Sequence, residues 1–255
     1  MNLLRNLSEK LIPSVYEAGL AIMEIYAEKP SGILKDDGSP VTKADRAAEE
    51  ILISAIKKIT PDITIISEEN AKSHSLKVTE IFFLVDPLDG TKEFLKFDDK
   101  GSFTVNIGLI EKGFPVMGIV FAPALDRLFV GINGDGAYEK RNRGKEREIK
   151  IRNIPKNGPL AVVSSSHLDE KTDQWLIKNN VNKTVSIGSS LKFCLVASGE
   201  ADVYPRFGPT SEWDTAAGDA ILRSAGGNVH NPDGTNFLYG KKNYKNSSFI
   251  AKGNF

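Results

Sequence analysis

The sequence predicts a layered α/β protein in two tightly joined halves, residues 1–155 and 156–255. Three observations predict it. Two stretches near the N-terminus repeat apolar residues at helical spacing, a run of short apolar strands follows, and strands then alternate with helices from residue 160 onward. A chain of 255 residues is long enough to bury most of its apolar surface as one large domain or two small ones.

The elements follow in order. Leu4, Leu7, Leu11, Val15, Ala18, Ile22 and Tyr26 recur at three- and four-residue steps and predict a first helix. Pro13 either kinks it or marks its true start. Residues 30–41 hold Pro30, Gly32, Gly38 and Pro40 and read as a loop. Ala44, Ala47, Ala48, Ile51, Leu52, Ala55, Ile56 and Ile59 form the apolar stripe of a second helix, with Thr42 as N-cap and Pro61 just past the end. Residues 63–66 and 81–85 are short, apolar and branched or aromatic, as buried strands are. Phe103, Val105, Ile107 and Leu109 alternate with small or polar residues, and strands at 115–121 and 128–132 complete an antiparallel meander. Residues 139–156 carry eight Lys or Arg against three Glu. A solvated hairpin or connector between the halves accounts for them better than a basic groove. Beyond it come strand 160–164, helix 168–179, a strand near 184–187, helix 189–198, a strand near 201–204 and helix 214–225.

Composition excludes several function classes. Lys plus Arg and Asp plus Glu number 33 each, so the formal charge is zero, which argues against an electrostatic nucleic-acid binder. The single cysteine, Cys194, lies in an apolar stretch and cannot form an intrachain disulfide, which suits a cytoplasmic protein. No apolar run approaches the ~20 residues of a membrane span. His74, His167 and His230 are scattered, so a zinc site lacks support, and no nucleophile elbow, Walker loop or dinucleotide fingerprint occurs.

The chemistry concentrates at four acidic sites. In Ile81-Phe82-Phe83-Leu84-Val85-Asp86-Pro87-Leu88-Asp89-Gly90-Thr91 a buried strand ends in two carboxylates. Pro87 and Gly90 shape the chain there, gathering Asp86, the Leu88 carbonyl, Asp89 and the Thr91 hydroxyl at one strand end. Such an all-oxygen set suits a hard cation such as Mg²⁺; a plain Asp-Gly turn is the structural alternative. Glu68 and Glu69 follow another apolar strand, where a solvated loop would also explain them. Asp214, in Trp213-Asp214-Thr215-Ala216-Ala217-Gly218, stands where a helix begins and would serve equally as its cap. Asp45 stands three residues after Thr42, the spacing of a capping box.

The motif Asp86-Pro87-Leu88-Asp89-Gly90-Thr91, paired with Trp213-Asp214-Thr215-Ala216-Ala217-Gly218, resembles the signature of the Mg²⁺-dependent, lithium-sensitive phosphatases. These include inositol monophosphatases, fructose bisphosphatases and 3′(2′),5′-bisphosphate nucleotidases. The resemblance runs from about Val41 to Gly227. Thr91-Lys92-Glu93-Phe94, the segment from Gly188 to Ala197, and Tyr204-Pro205-Arg206-Phe207-Gly208-Pro209-Thr210 are similar to the bisphosphate nucleotidases of the CysQ type. Ser102 stands where bacterial members often have Glu.

The resemblance implies a sugar-phosphatase fold in alternating α-β-α-β-α layers with the site between the halves. It implies two or three Mg²⁺ ions held by Glu68, Asp86, the Leu88 carbonyl, Asp89 and Asp214, with Glu69 the alternative to Glu68. Thr91 would position the attacking water, backed by Asp45. Gly90, Thr91 and Asp214 would also face the substrate. Ser189, Lys192 and Arg206 fall where the nucleotidases hold the phosphate that is not cleaved, and His167 falls near the nucleotide. Read locally, Lys192 is equally a solvated helix lysine and Arg206 a surface ion-pair partner. The implied reaction is adenosine 3′,5′-bisphosphate plus water giving AMP and phosphate, with 3′-phosphoadenylyl sulfate a second substrate, in the recycling of by-products of sulfur assimilation. The alternatives are an inositol-phosphate or sugar-phosphate phosphatase of the same fold and a non-catalytic nucleotide-binding protein. Relatives imply either a monomer or a homodimer.

Overall fold

The computed structural model describes residues 3–29, 31–34, 40–77, 79–97, 101–165 and 169–255. Helix α1 (Leu3–Ala27) runs straight through Pro13, because its buried face, Leu11, Ile12, Val15, Ala18 and Ile22, outweighs one lost backbone bond. Where a loop was expected, β1 (Ile33–Leu34) and β2 (Pro40–Val41) form a short antiparallel pair. Helix α2 (Lys43–Ile59) has the expected capping box: Ala44 N–H donates to the Thr42 hydroxyl, and Thr42 N–H donates to Asp45 at 2.7 Å.

The next strands are β3 (Thr64–Ser67) and β4 (Ile81–Asp89), followed by the short helix α3 (Thr91–Lys96). Then come β5 (Thr104–Glu111), β6 (Phe114–Ala122), β7 (Arg127–Ile132), β8 (Gly136–Arg141) and β9 (Arg147–Ile149). These strands make one seven-stranded sheet in sequence order, parallel only between β3 and β4. The basic run begins as the β8–β9 hairpin. Its Arg141 and the neighbouring Arg127 both donate to buried Glu139, and both also pair with Glu200, which offsets much of the positive charge.

The C-terminal elements are β10 (Leu160–Ser164), α4 (Glu170–Lys178), β11 (Lys183–Ile187), α5 (Leu191–Ala197), β12 (Val203–Arg206), α6 (Ala216–Ser224), β13 (Asn228–His230) and β14 (Phe249–Lys252). They build a second sheet in the order β11-β10-β12-β14-β13. It is parallel across β11, β10 and β12, and antiparallel where β14 inserts beside β12 and β13.

Three apolar clusters fix the layering. Helices α1 and α2 cover the face of the large sheet that carries Phe83, Val85, Ile107 and Ile119. The opposite face, with Phe82, Leu84, Val120 and Phe129, packs on Phe193 of α5, Ile221 and Leu222 of α6, and Tyr204 and Phe249 of the second sheet. The far side of that sheet packs Ala161, Val163, Val203 and Ile250 against Leu176 of α4. The order of layers is therefore α-β-α-β-α, as expected. A row of glycines seats α6. Gly108, Gly118 and Gly131 pair side by side across β5, β6 and β7. A Cβ on Gly118 would stand 2.2 Å from the Ala217 carbonyl oxygen, and one on Gly131 would stand 2.3 Å from the Ile221 Cα. The helix backbone lies directly on the sheet because nothing projects there.

Candidate active site

Strand β4 ends in a register break. Asp86 lies opposite Asn106 and Asp89 opposite Thr104, so one extra residue is accommodated between them. Residues three apart on a regular strand face opposite sides; the bulge breaks that alternation and turns both carboxylates the same way. The segment is thus a bulge that leads into α3, and the plain turn between strands is excluded. Gly90, at φ 91°, makes the junction, and a Cβ there would lie 2.9 Å from the Ser102 carbonyl oxygen.

Parallel pairing of β3 with β4 brings Glu68 beside Asp86, and the Glu68 N–H donates to the Val85 carbonyl at 3.1 Å. Asp214 comes from the turn that precedes α6. Expected as a helix cap, it instead accepts the Ser211 N–H at 2.7 Å, while α6 starts at Ala216 with Thr215 in the cap position. The reason is local: the Ser211–Asp214 turn uses the carboxylate before the helix can.

Oxygen atoms of Glu68, Asp86 and Asp214 lie within 4.8 Å of one another. Glu68, rather than Glu69, completes this group. Buried Asp86 Oδ2 has no hydrogen-bond partner among the described residues. Its other oxygen accepts the Leu88 N–H at 3.0 Å. Burial, and then the neighbouring carboxylates, push Asp86 and Asp214 well above the ordinary carboxylate range. Half-buried Asp89 accepts the Ser190 N–H, and burial raises it to about 7 despite the attraction of Lys192. An orphaned buried carboxylate oxygen among crowded anions and an all-oxygen donor set fit a hard divalent cation. The Leu88 carbonyl lies beside them and accepts from the Thr91 hydroxyl at 3.1 Å.

Asp45 divides its two oxygens between structure and site. Oδ2 accepts the Thr42 amide and hydroxyl, both at 2.7 Å, and Oδ1 lies 3.2 Å from the Thr91 hydroxyl. The capping box and the Thr91 contact therefore coexist. Burial raises the Asp45 carboxyl above its ordinary value.

The cationic residues are not on the solvated surface. Lys192 is 3% exposed and Arg206 6% exposed, which excludes both bland readings. The Lys192 ammonium donates to the carbonyls of Ile187 (3.2 Å) and Ser189 (2.6 Å) and lies 5.0 Å from the centre of the Tyr204 ring. Burial lowers it to about 8. Arg206 donates to the Pro209 carbonyl at 3.1 Å. Ser189 sits at φ 53°, held there by the Lys192 contact and by Leu191 N–H on its hydroxyl. Glu68, Asp89, Gly90, Thr91, Ser189, Lys192, Arg206 and Asp214 all line one cleft of about 290 Å³. His167 lies outside the described residues.

Three groups received no role in the sequence reading, although Ser190 and Glu93 lie in segments that carry the resemblance. Buried Ser190 donates its hydroxyl to Asn106 and its amide to Asp89, so it fixes the carboxylate from a distant segment. Glu93 is buried beside the cleft and accepts from Ser165 at 2.6 Å. Fully buried Glu212 accepts the Gly240 and Lys241 amides at 2.8 Å, tying down the chain next to Trp213 and Asp214. Glu212 beside the tryptophan was the one local signal: a charge in an apolar segment needs a partner.

The family model described as the inositol monophosphatase family matches residues 4–254. The 3′(2′),5′-bisphosphate nucleotidase CysQ of Salmonella typhimurium is 44% identical over 234 residues, 91% of this chain and 93% of that protein. Its namesake in Buchnera aphidicola is 41% identical over 98% of this chain and 95% of its own. Among solved structures, CysQ from Bacteroides thetaiotaomicron superposes with a TM-score of 0.82 at 35% identity, covering 98% of both chains. An inositol monophosphatase from Anabaena superposes with a TM-score of 0.80 at 26% identity, covering 99% of this chain and 93% of that one. The layered fold, the bulged acidic strand and the near-complete coverage agree, and the chain belongs to the inositol monophosphatase family.

Proposed function

We propose that the chain is a Mg²⁺-dependent 3′(2′),5′-bisphosphate nucleotidase that hydrolyses adenosine 3′,5′-bisphosphate to AMP and phosphate, with 3′-phosphoadenylyl sulfate as a second substrate. One observation carries the reading: the acidic cluster and the buried cations Lys192 and Arg206 share one cleft. A substrate with one phosphate has no group to place on the second charge centre. The nucleotidase relatives support the same choice.

Glu68, Asp86, the Leu88 carbonyl, Asp89 and Asp214 would hold two or three Mg²⁺ ions. Bound there, Mg²⁺ supplies positive charge that neutralises the phosphate and acidifies the attacking water. The rest falls to the side chains. Thr91 has one hydroxyl proton and two acceptors, Asp45 Oδ1 and the Leu88 carbonyl. With that proton given to Asp45, its lone pairs accept a proton of the attacking water and orient it in line with the leaving oxygen. Burial of Asp45 makes its carboxylate a better acceptor for the proton passed back through Thr91. Gly90 and Thr91 offer amides with no partner inside their own helix, and these would donate to the reacting phosphate. Lys192 uses two protons on its own loop, which leaves one for the second phosphate beside Arg206 and Ser189. Residues 1–155 would thus bring the hydrolytic groups, and residues 156–255 the anion-binding arm and Asp214.

The test is phosphate release from adenosine 3′,5′-bisphosphate and inositol 1-phosphate, side by side with Mg²⁺. Faster turnover of the nucleotide supports the reading. Preference for inositol phosphate would keep the hydrolytic site and remove the roles given to Lys192 and Arg206.

A further inference from the structure

His74 belongs to none of the motifs above, yet it touches the residues that immediately precede two carboxylates of the acidic cluster. It lies on a short helical turn, Ser73–Ser75, beyond β3. Its Nε2 is 2.8 Å from the Ser67 carbonyl oxygen, which can only accept, so Nε2 carries the proton and donates. The other side of the contact is aromatic. The ring stacks on Trp213 with centroids 4.8 Å apart and planes 19° from parallel, and Tyr244 leans on the pair at 6.2 Å. Ser67 immediately precedes Glu68, and Trp213 immediately precedes Asp214. One imidazole therefore grips the chain before one carboxylate and the ring before another.

The grip is reinforced on the Glu68 side. Ser67 N–H donates to the Ser73 hydroxyl at 3.1 Å, and the Ser67 hydroxyl donates to Glu49 at 2.6 Å. On the Asp214 side, the Glu212 N–H donates to the Tyr244 carbonyl at 2.7 Å. Glu68 follows an edge strand and Asp214 lies in a turn between elements, so neither carboxylate stands on a central strand and their spacing rests on contacts made by the flanking residues. A cation needs these carboxylates ionised, and in that form Glu68, Asp86 and Asp214 repel one another. A cation site needs its ligands held at a fixed spacing before the ion arrives, because ligand spread has to be reversed at the expense of affinity.

We propose that His74 is a positioning residue that sets the spacing of Glu68 and Asp214 and through it the affinity of the acidic cluster for a divalent cation. The proposal rests on the reading of Glu68, Asp86 and Asp214 as cation ligands. Three variants separate its parts. His74→Ala removes both contacts, His74→Phe keeps a ring against Trp213, and His74→Gln keeps a donor for the Ser67 carbonyl.

Mn²⁺ binding is measured by titration calorimetry, beside the Tm of the metal-free proteins and the Mg²⁺ dependence of turnover. His74→Ala is expected to weaken Mn²⁺ binding tenfold or more. His74→Phe and His74→Gln should each recover part of that loss, and they carry the test if His74→Ala does not fold. The Mg²⁺ concentration for half-maximal turnover should rise with the Mn²⁺ Kd, while kcat at saturating Mg²⁺ falls less. A merely structural role lowers the metal-free Tm and leaves Mn²⁺ affinity within twofold of wild type; that result overturns the proposal. Asp86→Asn distinguishes the two levels of failure. If it binds Mn²⁺ as wild type does, the cation-site reading falls and takes the proposal with it. If it abolishes binding while the His74 variants bind normally, only the role of His74 is lost.

Discussion

Removing the cation should leave a protein whose stability falls as pH rises. Asp86 and Asp214 are pushed well above the ordinary carboxylate range by burial and mutual repulsion, and Asp89 is raised from 3.8 to about 7. In each case the folded state holds a proton that the unfolded state has released. The contribution of these three groups is therefore fully present below about pH 4 and is lost as pH climbs through their folded values. For Asp89 alone the whole loss is on the order of 4 kcal/mol, of which roughly 3 kcal/mol falls between pH 5 and 8. With an unfolding entropy of about 2 cal/mol/K per residue, that lowers Tm by about 5 °C, and Asp86 and Asp214 add in the same direction. Scanning calorimetry in chelator at pH 5, 6, 7 and 8 measures it. Added Mg²⁺ should restore most of the lost Tm at pH 8 and little at pH 5, with protons released on binding. Asp86→Asn should flatten the metal-free curve and remove most of the Mg²⁺ effect. A metal-free Tm that is level or rising from pH 5 to 8 would refute the reasoning, because the carboxylates would then not be crowded and desolvated.

Other outcomes follow from separate contacts. Arg206→Gln and Lys192→Met each remove a charged donor from the cleft and should lower kcat/KM for adenosine 3′,5′-bisphosphate roughly 10- to 100-fold, with a smaller effect on inositol 1-phosphate; steady-state kinetics on both substrates checks this. Thr91→Val should lower kcat by on the order of 10²–10⁴ with metal binding intact. Thr42→Ala, which breaks only the capping half of the Asp45 arrangement, should cost about 1 kcal/mol of stability by urea unfolding. Gly118→Ala places a methyl group against the Ala217 carbonyl and should destabilise by ~3 kcal/mol or more, displacing the helix that follows Asp214.

Much of this was legible in the sequence because it is written in local spacing. The α2 stripe and its capping box, strand 160–164 and the acidic strand ends all depend on neighbours within a few residues. What stayed hidden depends on distant partners. β14, Phe249–Lys252, is too short to declare itself, yet it pairs with both β12 and β13 and makes the second sheet mixed. The glycines at 108, 118 and 131 look unremarkable singly and gain meaning only when β5, β6 and β7 align them under α6. Asp214 looked like a helix cap because its nearest pattern is helical, whereas the turn from Ser211 claims its carboxylate. His74 looked idle because its partners Ser67 and Trp213 lie on different elements. Lys192 and Arg206 left their burial unreadable: a cation shows no local sign that the fold will enclose it.

The central claim is that one cleft cleaves a phosphate with metal help while reading a second phosphate. The most direct measurement is kcat/KM for adenosine 3′,5′-bisphosphate against 3′-AMP, which lacks only the 5′-phosphate, with Mg²⁺ and with chelator. The expected result is a preference for the bisphosphate of at least about tenfold, the value of one charge-assisted contact, and no turnover of either in chelator. Equal turnover of the two nucleotides, or turnover that survives chelation, would contradict it.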